Sequence, residues 1–275
     1  MEKSFEIRFP LESDYENLKA LWRTAFDDSK ESLDFFFKNT VSPERVLAVF
    51  EEGNPVSALY MLESDIIIDK KEYSAYYIYA VCTHPHYRGK GLMKSLFEEL
   101  FEVAKSRNID YLFLVPEEKY LFKIYKKLGF EIGFSYSGKE VFKRDFQNIK
   151  VIKFNKLTYE NYRNCIKVDP KKVPLAVLKE TTFGSFFNSV SGEVKVVFVE
   201  NEGYAIYEEA EENLTIFELF GNEKLLLNAI FQNTEKESLV LRQIANGNPI
   251  PYGMYYKIND VPEIRKGFFG IPYSN

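Results

Sequence analysis

The chain has 275 residues, longer than one hydrophobic core usually grows, so two domains of ordinary size are expected. With 45% apolar and 28% charged residues it reads as a soluble globular protein, and its longest apolar runs, such as 111–115, are strand-sized, which excludes a helix that crosses a membrane. The net charge of −5 argues against nucleic acid as the main partner, and the two cysteines, Cys82 and Cys165, stand apart without His or Cys neighbours, against a disulfide framework or a metal site.

The start, Met1-Glu2-Lys3-Ser4 and then alternating residues 5–9, lacks the apolar core and small-residue cleavage site of a secretory leader, so the protein is expected to be cytoplasmic. In chain order the hydrophobic periods predict a strand at 5–10, helices at 12–26 and 31–39, and strands at 45–51, 56–69 and 73–83. A long helix at 90–107, a strand at 111–115, a helix at 119–128 and strands around 130–142 follow. The apolar pattern lapses at 143–148, which sets the expected division into 1–145 and 146–275.

The second half is predicted as a strand at 151–154, helices near 159–166 and 173–187, and strands at 194–199, 204–208 and 214–220. A helix at 223–231 and strands at 239–243 and 254–258 complete it. The order of elements nearly repeats that of the first half without a residue-level repeat. This fits a degenerate duplication; two unrelated α/β units with similar strings are the alternative. The acidic run 208–212 reads as a solvated turn.

The chemistry-bearing stretch joins the strand at 73–83 to the long helix. Pro85 ends the strand because it cannot donate to the sheet ladder, and Gly89 and Gly91 permit the sharp backbone turn. The loop then presents unpaired N–H groups at the positive end of a helix, a natural anion site. That helix is amphipathic: Leu92, Leu96 and Leu100 stack with Met93, Phe97, Phe101 and Ala104, leaving Lys94, Glu98, Glu102 and Lys105 outside. Its approach carries Arg88 and Lys90 and no acid, the reverse of the usual N-terminal preference, as a bound anion would require. Each charge-assisted hydrogen bond to a phosphate contributes about 1.5–3 kcal/mol, so a few donors suffice for firm binding.

Arg88-Gly89-Lys90-Gly91-Leu92-Met93 resembles the pyrophosphate loop R/Q-x-x-G-x-G/A of the GNAT superfamily of acyl-CoA N-acyltransferases, matching at the arginine and the central glycine. The preceding His84-Pro85-His86-Tyr87 and the later Ile124-Tyr125-Lys126-Lys127-Leu128-Gly129-Phe130 are similar to two further stretches of that family, in the same order. Met93 departs from the small residue that often closes the loop, and the Gly-Leu-Met ending resembles the tandem-domain branch that includes the enhanced-intracellular-survival acetyltransferases, without room for their sterol-carrier-like domain. Glu118 stands where many members place an Asn, so that contact is not carried over.

The resemblance implies an α/β fold in which a mixed GNAT-like sheet flanked by helices is followed by a second, degenerate GNAT-like unit. It implies acetyl-CoA as co-substrate and no metal. Arg88, Gly89, Lys90, Gly91, Leu92 and Met93 would hold the phosphates, and Val81, Cys82 and Thr83 would line the pantetheine arm. An amine then attacks the thioester directly. Tyr125 is the candidate general acid, since a phenol of pKa about 10 can protonate a departing thiolate of pKa about 8.5; packing with its hydroxyl on a backbone group is its plain structural role. Glu63, Asp65, His84 and His86 are the groups near enough in sequence to serve as base, and none is selected. A covalent route through Cys82 is disfavoured, because a cysteine in an apolar strand is usually a small buried hydrophobe.

At the matching point of the second half, Gly221-Asn222-Glu223-Lys224 has neither an Arg nor a glycine pair, and Glu223 would repel a phosphate. That half is expected to wall the acceptor pocket, to stabilise the first, or to form an oligomer contact. Its aromatics Tyr252, Tyr255, Tyr256, Phe268 and Phe269 read mainly as core, and the tail from Phe268 onward is expected to fray or to dock near the cleft between the halves. The expected partner is a small-molecule or peptide amine. A coenzyme A-binding regulatory or scaffold protein without turnover is the second reading, and aminoacyl transfer from transfer RNA is disfavoured by the acidic charge.

Overall fold

A computed structural model describes residues 4–146, 155–168, 173–189 and 194–270. The first half contains β1 (Phe5–Arg8), α1 (Tyr15–Trp22), α2 (Lys30–Asn39), β2 (Val46–Glu51), β3 (Asn54–Ile68), β4 (Lys71–Thr83), α3 (Leu92–Ser106), β5 (Tyr111–Leu114), α4 (Lys119–Lys127) and β6 (Glu131–Phe142). This is the predicted order. The predicted helix at 12–26 is shorter than expected: its first turn is a 3-10 turn at Glu12–Asp14, and the α-helix ends at Trp22.

The second half contains α5 (Tyr159–Val168), β7 (Leu175–Leu178), α6 (Glu180–Ser189), β8 (Val194–Val199), β9 (Gly203–Glu209), β10 (Leu214–Gly221), α7 (Glu223–Phe231), β11 (Ser238–Ile244) and β12 (Ile250–Lys257). The predicted strand at 151–154 lies outside the described residues. The predicted helix at 173–187 is instead a strand followed by a helix. Pro174 disfavours helix before it, and Leu175-Ala176-Val177-Leu178 is a wholly buried four-residue run whose period cannot distinguish strand from helix. Pairing with β3, from Ser64↔Leu178 to Ile67↔Leu175, decides it.

Among the described residues the strands join one twelve-stranded sheet in the order β1-β2-β3-β4-β5-β12-β6-β11-β10-β9-β8, with β7 beside β3. The pairs β4–β5 and β10–β11 are parallel and the other pairs antiparallel. Each parallel pair follows a three-strand meander and is bridged by one helix, α3 or α7, as a parallel connection requires. The two units exchange neighbours at the centre: β12 sits between β5 and β6, and β6 in turn lies between β12 and β11.

Helices cover both faces. Residues of α1, α2 and α5 pack with Tyr60, Leu62, Tyr77, Phe113 and Tyr204 on one face. Those of α3 and α4 pack with Leu59, Met61, Leu112 and Leu114 on the other. Helix α7 closes a third cluster with Ala205, Ile216, Leu239 and Leu241. The alternation along β3, with Tyr60 and Leu62 to one side and Leu59 and Met61 to the other, explains why this central strand is apolar almost throughout.

Candidate functional site

The sheet splits where β4 and β5 part. Their parallel pairing runs only from Ala75↔Tyr111 to Tyr77↔Phe113; β5 stops at Leu114, whereas β4 continues to Thr83. A bulge in β4 lies just beyond the last paired residues. Ala58 faces Cys82 and Tyr60 faces Tyr79, so Leu59 alone stands opposite both Ala80 and Val81. Ala80 takes φ +47°, a left-handed conformation that is uncommon for a residue with a side chain. Such bulges bend the strand and re-aim the residues beyond the bend, and strain of this kind collects at functional positions. Sequence reading missed Ala80, because nothing in Tyr79-Ala80-Val81 marks a bulge.

Beyond the split, Val81, Cys82 and Thr83 occupy the free end of β4, and the loop turns at once towards α3. The 3-10 turn Pro85–Tyr87 is closed by the Tyr87 N–H donating to the His84 carbonyl at 2.8 Å. Arg88 Nε donates to the Thr83 carbonyl at 3.2 Å, which ties the loop back to the strand end. Tyr87 donates its hydroxyl to the Glu51 carboxylate, and the Lys90 ammonium lies 4.6 Å from the Tyr87 ring centroid. Gly89 and Gly91 take φ of +78° and +81°, with open space where a Cβ would stand, so the backbone conformation rather than crowding calls for glycine.

Gly91 is also the N-cap of α3, and no side chain caps this end. The first turn holds no acid, while Arg88 and Lys90 are exposed beside it. Leu92 is buried and Met93 half-buried in the apolar cluster below, so both contribute backbone N–H groups, not side chains, to the open end. The features the sequence pointed to stand together here: the positive end of a helix, two exposed cations and no carboxylate cap.

Tyr125 lies in α4 on the same face of the sheet as α3, its ring 5.7 Å from that of Phe97 and 6.0 Å from that of Phe130. The residue is buried in the cluster that also holds Leu92 and Leu114, with Val81 packed against it. The ring packs as a core residue would, while its hydroxyl bonds no described residue. Burial, with a smaller contribution from Tyr120, raises the phenol above its ordinary value and keeps it protonated.

Cys82 faces the opposite way, into the cluster with Tyr60 and Tyr77. Burial pushes its thiol up to about 12, against the weaker pull of a backbone hydrogen bond to Ala58 and the charge of Arg88. A thiol so held carries negligible thiolate at neutral pH, which removes the basis for a covalent acyl-enzyme. Of the candidate bases, Glu63 pairs with Arg45 at 2.7 Å and accepts from Thr181 at 2.7 Å, and Asp65 lies between Arg163 and Lys179, each at 3.5 Å. Both sit opposite Tyr76 and Ser74, at the closed end of the β4–β5 split. His84 accepts from the His86 N–H at 3.3 Å in the loop.

The tail docks. Phe269 places its ring 5.5 Å from that of Tyr77 and 5.1 Å from that of Phe113, the last facing pair before the strands part. Tyr252 shares its hydroxyl with both the N–H and the carbonyl of Phe269, the Gly270 N–H donates to Glu218 at 3.2 Å, and the Phe268 N–H donates to the Pro174 carbonyl at 2.8 Å. Phe268, Phe269 and Tyr255 are buried, Tyr252 and Tyr256 half-buried. Residues 271–275 lie outside the description.

The corresponding helix of the second half starts differently. Asn222 caps α7 by accepting from the Leu225 N–H at 3.2 Å, Glu223 occupies the first turn, and Lys139 pairs with Glu223 at 2.9 Å. No helix among the described residues is long and apolar enough to cross a membrane, and no group of His, Cys, Asp and Glu among them could hold a metal ion.

Residues 6–133 match the family model described as an acetyltransferase (GNAT) domain. Solved structures share the fold over nearly the whole chain. A GCN5-related N-acetyltransferase from Kribbella flavida is 14% identical with a TM-score of 0.73, over 92% of this chain and 71% of that one. A probable N-acyltransferase from Enterococcus faecalis is 13% identical with a TM-score of 0.73, over 93% and 73%. Eis1 from Mycobacterium abscessus is 12% identical with a TM-score of 0.68, over 93% and 74%. At such identities the likeness is one of fold, and it spans both halves. No curated protein matches the sequence.

Proposed function

We propose that this chain, which carries a GNAT acetyltransferase domain over residues 6–133, transfers an acetyl group from acetyl-CoA to an amine by direct attack. The observation that carries this reading is the uncapped, acid-free start of α3 with Arg88 and Lys90 beside it, opening directly onto the β4–β5 split. Arg88 and Lys90 supply charge, and Gly89, Gly91, Leu92 and Met93 supply backbone donors for the phosphates. Val81, Cys82 and Thr83, past the last β5 partner, offer strand backbone to the pantetheine arm. Acetyl-CoA held there supplies an activated thioester. A backbone N–H on this stretch stabilises the charge that develops on the carbonyl oxygen.

Tyr125, protonated and unbonded, donates the proton that the departing thiolate takes up. Burial makes the phenol a weaker acid, but a thiolate formed in the same dry cleft has its proton affinity raised by the same desolvation, so the two stay matched. The second half, 146–275, walls the acceptor side, with Phe269 standing at the split. We read the tandem arrangement and the Gly91-Leu92-Met93 ending as features shared with the enhanced-intracellular-survival type of acetyltransferase.

The test is release of free thiol from acetyl-CoA in the presence of a panel of amines and peptides. Amine-dependent release is expected. Tight coenzyme A binding without thiol release from any amine would leave a coenzyme A-binding scaffold instead.

A further inference from the structure

Helix α4 is the least buried helix of the first half, with Tyr125 alone of its nine residues buried. Leu121, Phe122 and Leu128 lean on the core beside Tyr125, and the opposite side is open. There Tyr120 is 61% exposed and Ile124 38% exposed, one turn apart at i and i+4. Among the described residues the other exposed large apolar side chains, Phe9, Leu11, Ile132, Val168, Val240 and Ile250, lie outside the elements, on strands or at a helix end. Scattered singly they need no explanation, but α4 turns two to water on one stripe.

Charge is ordered along that stripe. Glu117 and Glu118 stand at the start of the helix, and Lys127, at its end, continues the stripe at i+7 from Tyr120. All three are exposed, and none pairs with a described residue, whereas Lys94, Lys139 and Lys195 on other elements pair with carboxylates. Positions 117, 120, 124 and 127 have the same spacing read from either end. Turned over about the midpoint, Glu117 meets Lys127 and Tyr120 meets Ile124, twice over. The two charged ends stand about 15 Å apart along the axis. Such a stripe is complementary to its own two-fold copy, as an isologous contact requires. Lys119, Lys123 and Lys126 lie further round the helix and stay in water.

We infer that the outer stripe of α4 docks a second copy of this chain, α4 against α4 antiparallel about a two-fold axis, with Tyr120 and Ile124 of the two copies in contact and Glu117 of each facing Lys127 of the other. One short helix pair covers less surface than a standard interface, so the dimer is weak and depends on concentration. The contact reaches the candidate site from behind: the inner side of the same helix carries Tyr125, so the docked copy steadies the helix on which that phenol sits. It does not depend on the acetyl-transfer reading, because association is measured as mass and not as turnover.

Sedimentation equilibrium of the intact chain over a concentration series is the test, with circular dichroism as the check that each variant is folded. A monomer–dimer equilibrium is expected. Ile124→Lys, at an exposed position where the monomer accepts a charge, should raise the dissociation constant at least about tenfold. Lys127→Glu should raise it by a smaller factor, and Glu117→Lys combined with Lys127→Glu should lower it again, because the reversed charges meet across the axis. A chain that stays monomeric throughout the series, an assembly indifferent to Ile124→Lys, or a double reversal no tighter than Lys127→Glu alone overturns the proposal. The last result is also what a lysine serving only to hold a small anion would give.

Discussion

Helices α3 and α7 hold matching places in two meander–helix–strand units, yet they begin in opposite ways. Gly91 leaves the start of α3 open, with cations beside it and no acid in the first turn. Asn222 seals the start of α7 from within, and Glu223 sets a negative charge where a phosphate would have to sit. Both helices cross from a meander to a parallel strand, so topology alone makes no site. Three or four residues at the N-cap decide whether the helix end is satisfied by the protein or kept for a ligand.

The largest expected effect separates chemistry from binding within the first half. Tyr125→Phe should lower the acetyl-transfer rate about a hundredfold to ten-thousandfold while coenzyme A binds as before; normal turnover would remove Tyr125 from the mechanism. The pH profile carries a sign. Burial raises the Tyr125 pKa, so the acid stays in its active form through neutral pH, and a loss of rate below about pH 10 must come from another group. For stability, a folded-state pKa above the unfolded one gives a contribution complete below about pH 10 and lost as pH rises through the folded value.

A smaller effect contrasts the two helix starts directly. Replacing Arg88 and Lys90 together by Ala should weaken coenzyme A binding about tenfold or more, measured as a dissociation constant. Lys224→Ala in the first turn of α7 should leave it unaltered. An unchanged constant in the Arg88/Lys90 variant would sink the cradle and, with it, the contrast between the halves.

The smallest effect lies in the sealed helix. Asn222→Ala removes the cap of α7 and should cost about 1 kcal/mol in denaturant unfolding, without change in coenzyme A binding. A gain in coenzyme A affinity would mean that the second half is only a capped version of the same site, and would redraw the comparison.

Legibility from sequence followed the range of the interactions. The loop was readable because proline, glycines, charges and the amphipathic period of α3 are all local signals, and Gly89 and Gly91 take the left-handed conformations that their spacing implied. The element order of the first half was readable for the same reason. Residues 175–178 were not, because four buried apolar residues fit a helix or a strand and only pairing with β3 chooses. The bulge at Ala80 was equally hidden, since it is a mismatch of register between two strands and not a property of either alone.

By itself the sequence determined the open, cation-flanked start of α3, the tyrosine set one helix further on, and the acidic, Asn-capped start of α7. Each is written in neighbouring residues, through caps, charges and period. Only the tertiary structure decided that β4 and β5 part beyond Tyr77, that β12 enters between β5 and β6, that Phe269 docks at the split and that Arg242 is held between Tyr136 and Phe217. Those features join residues far apart in the chain, and the hydrophobic pattern that buries them does not say which distant partner each will meet.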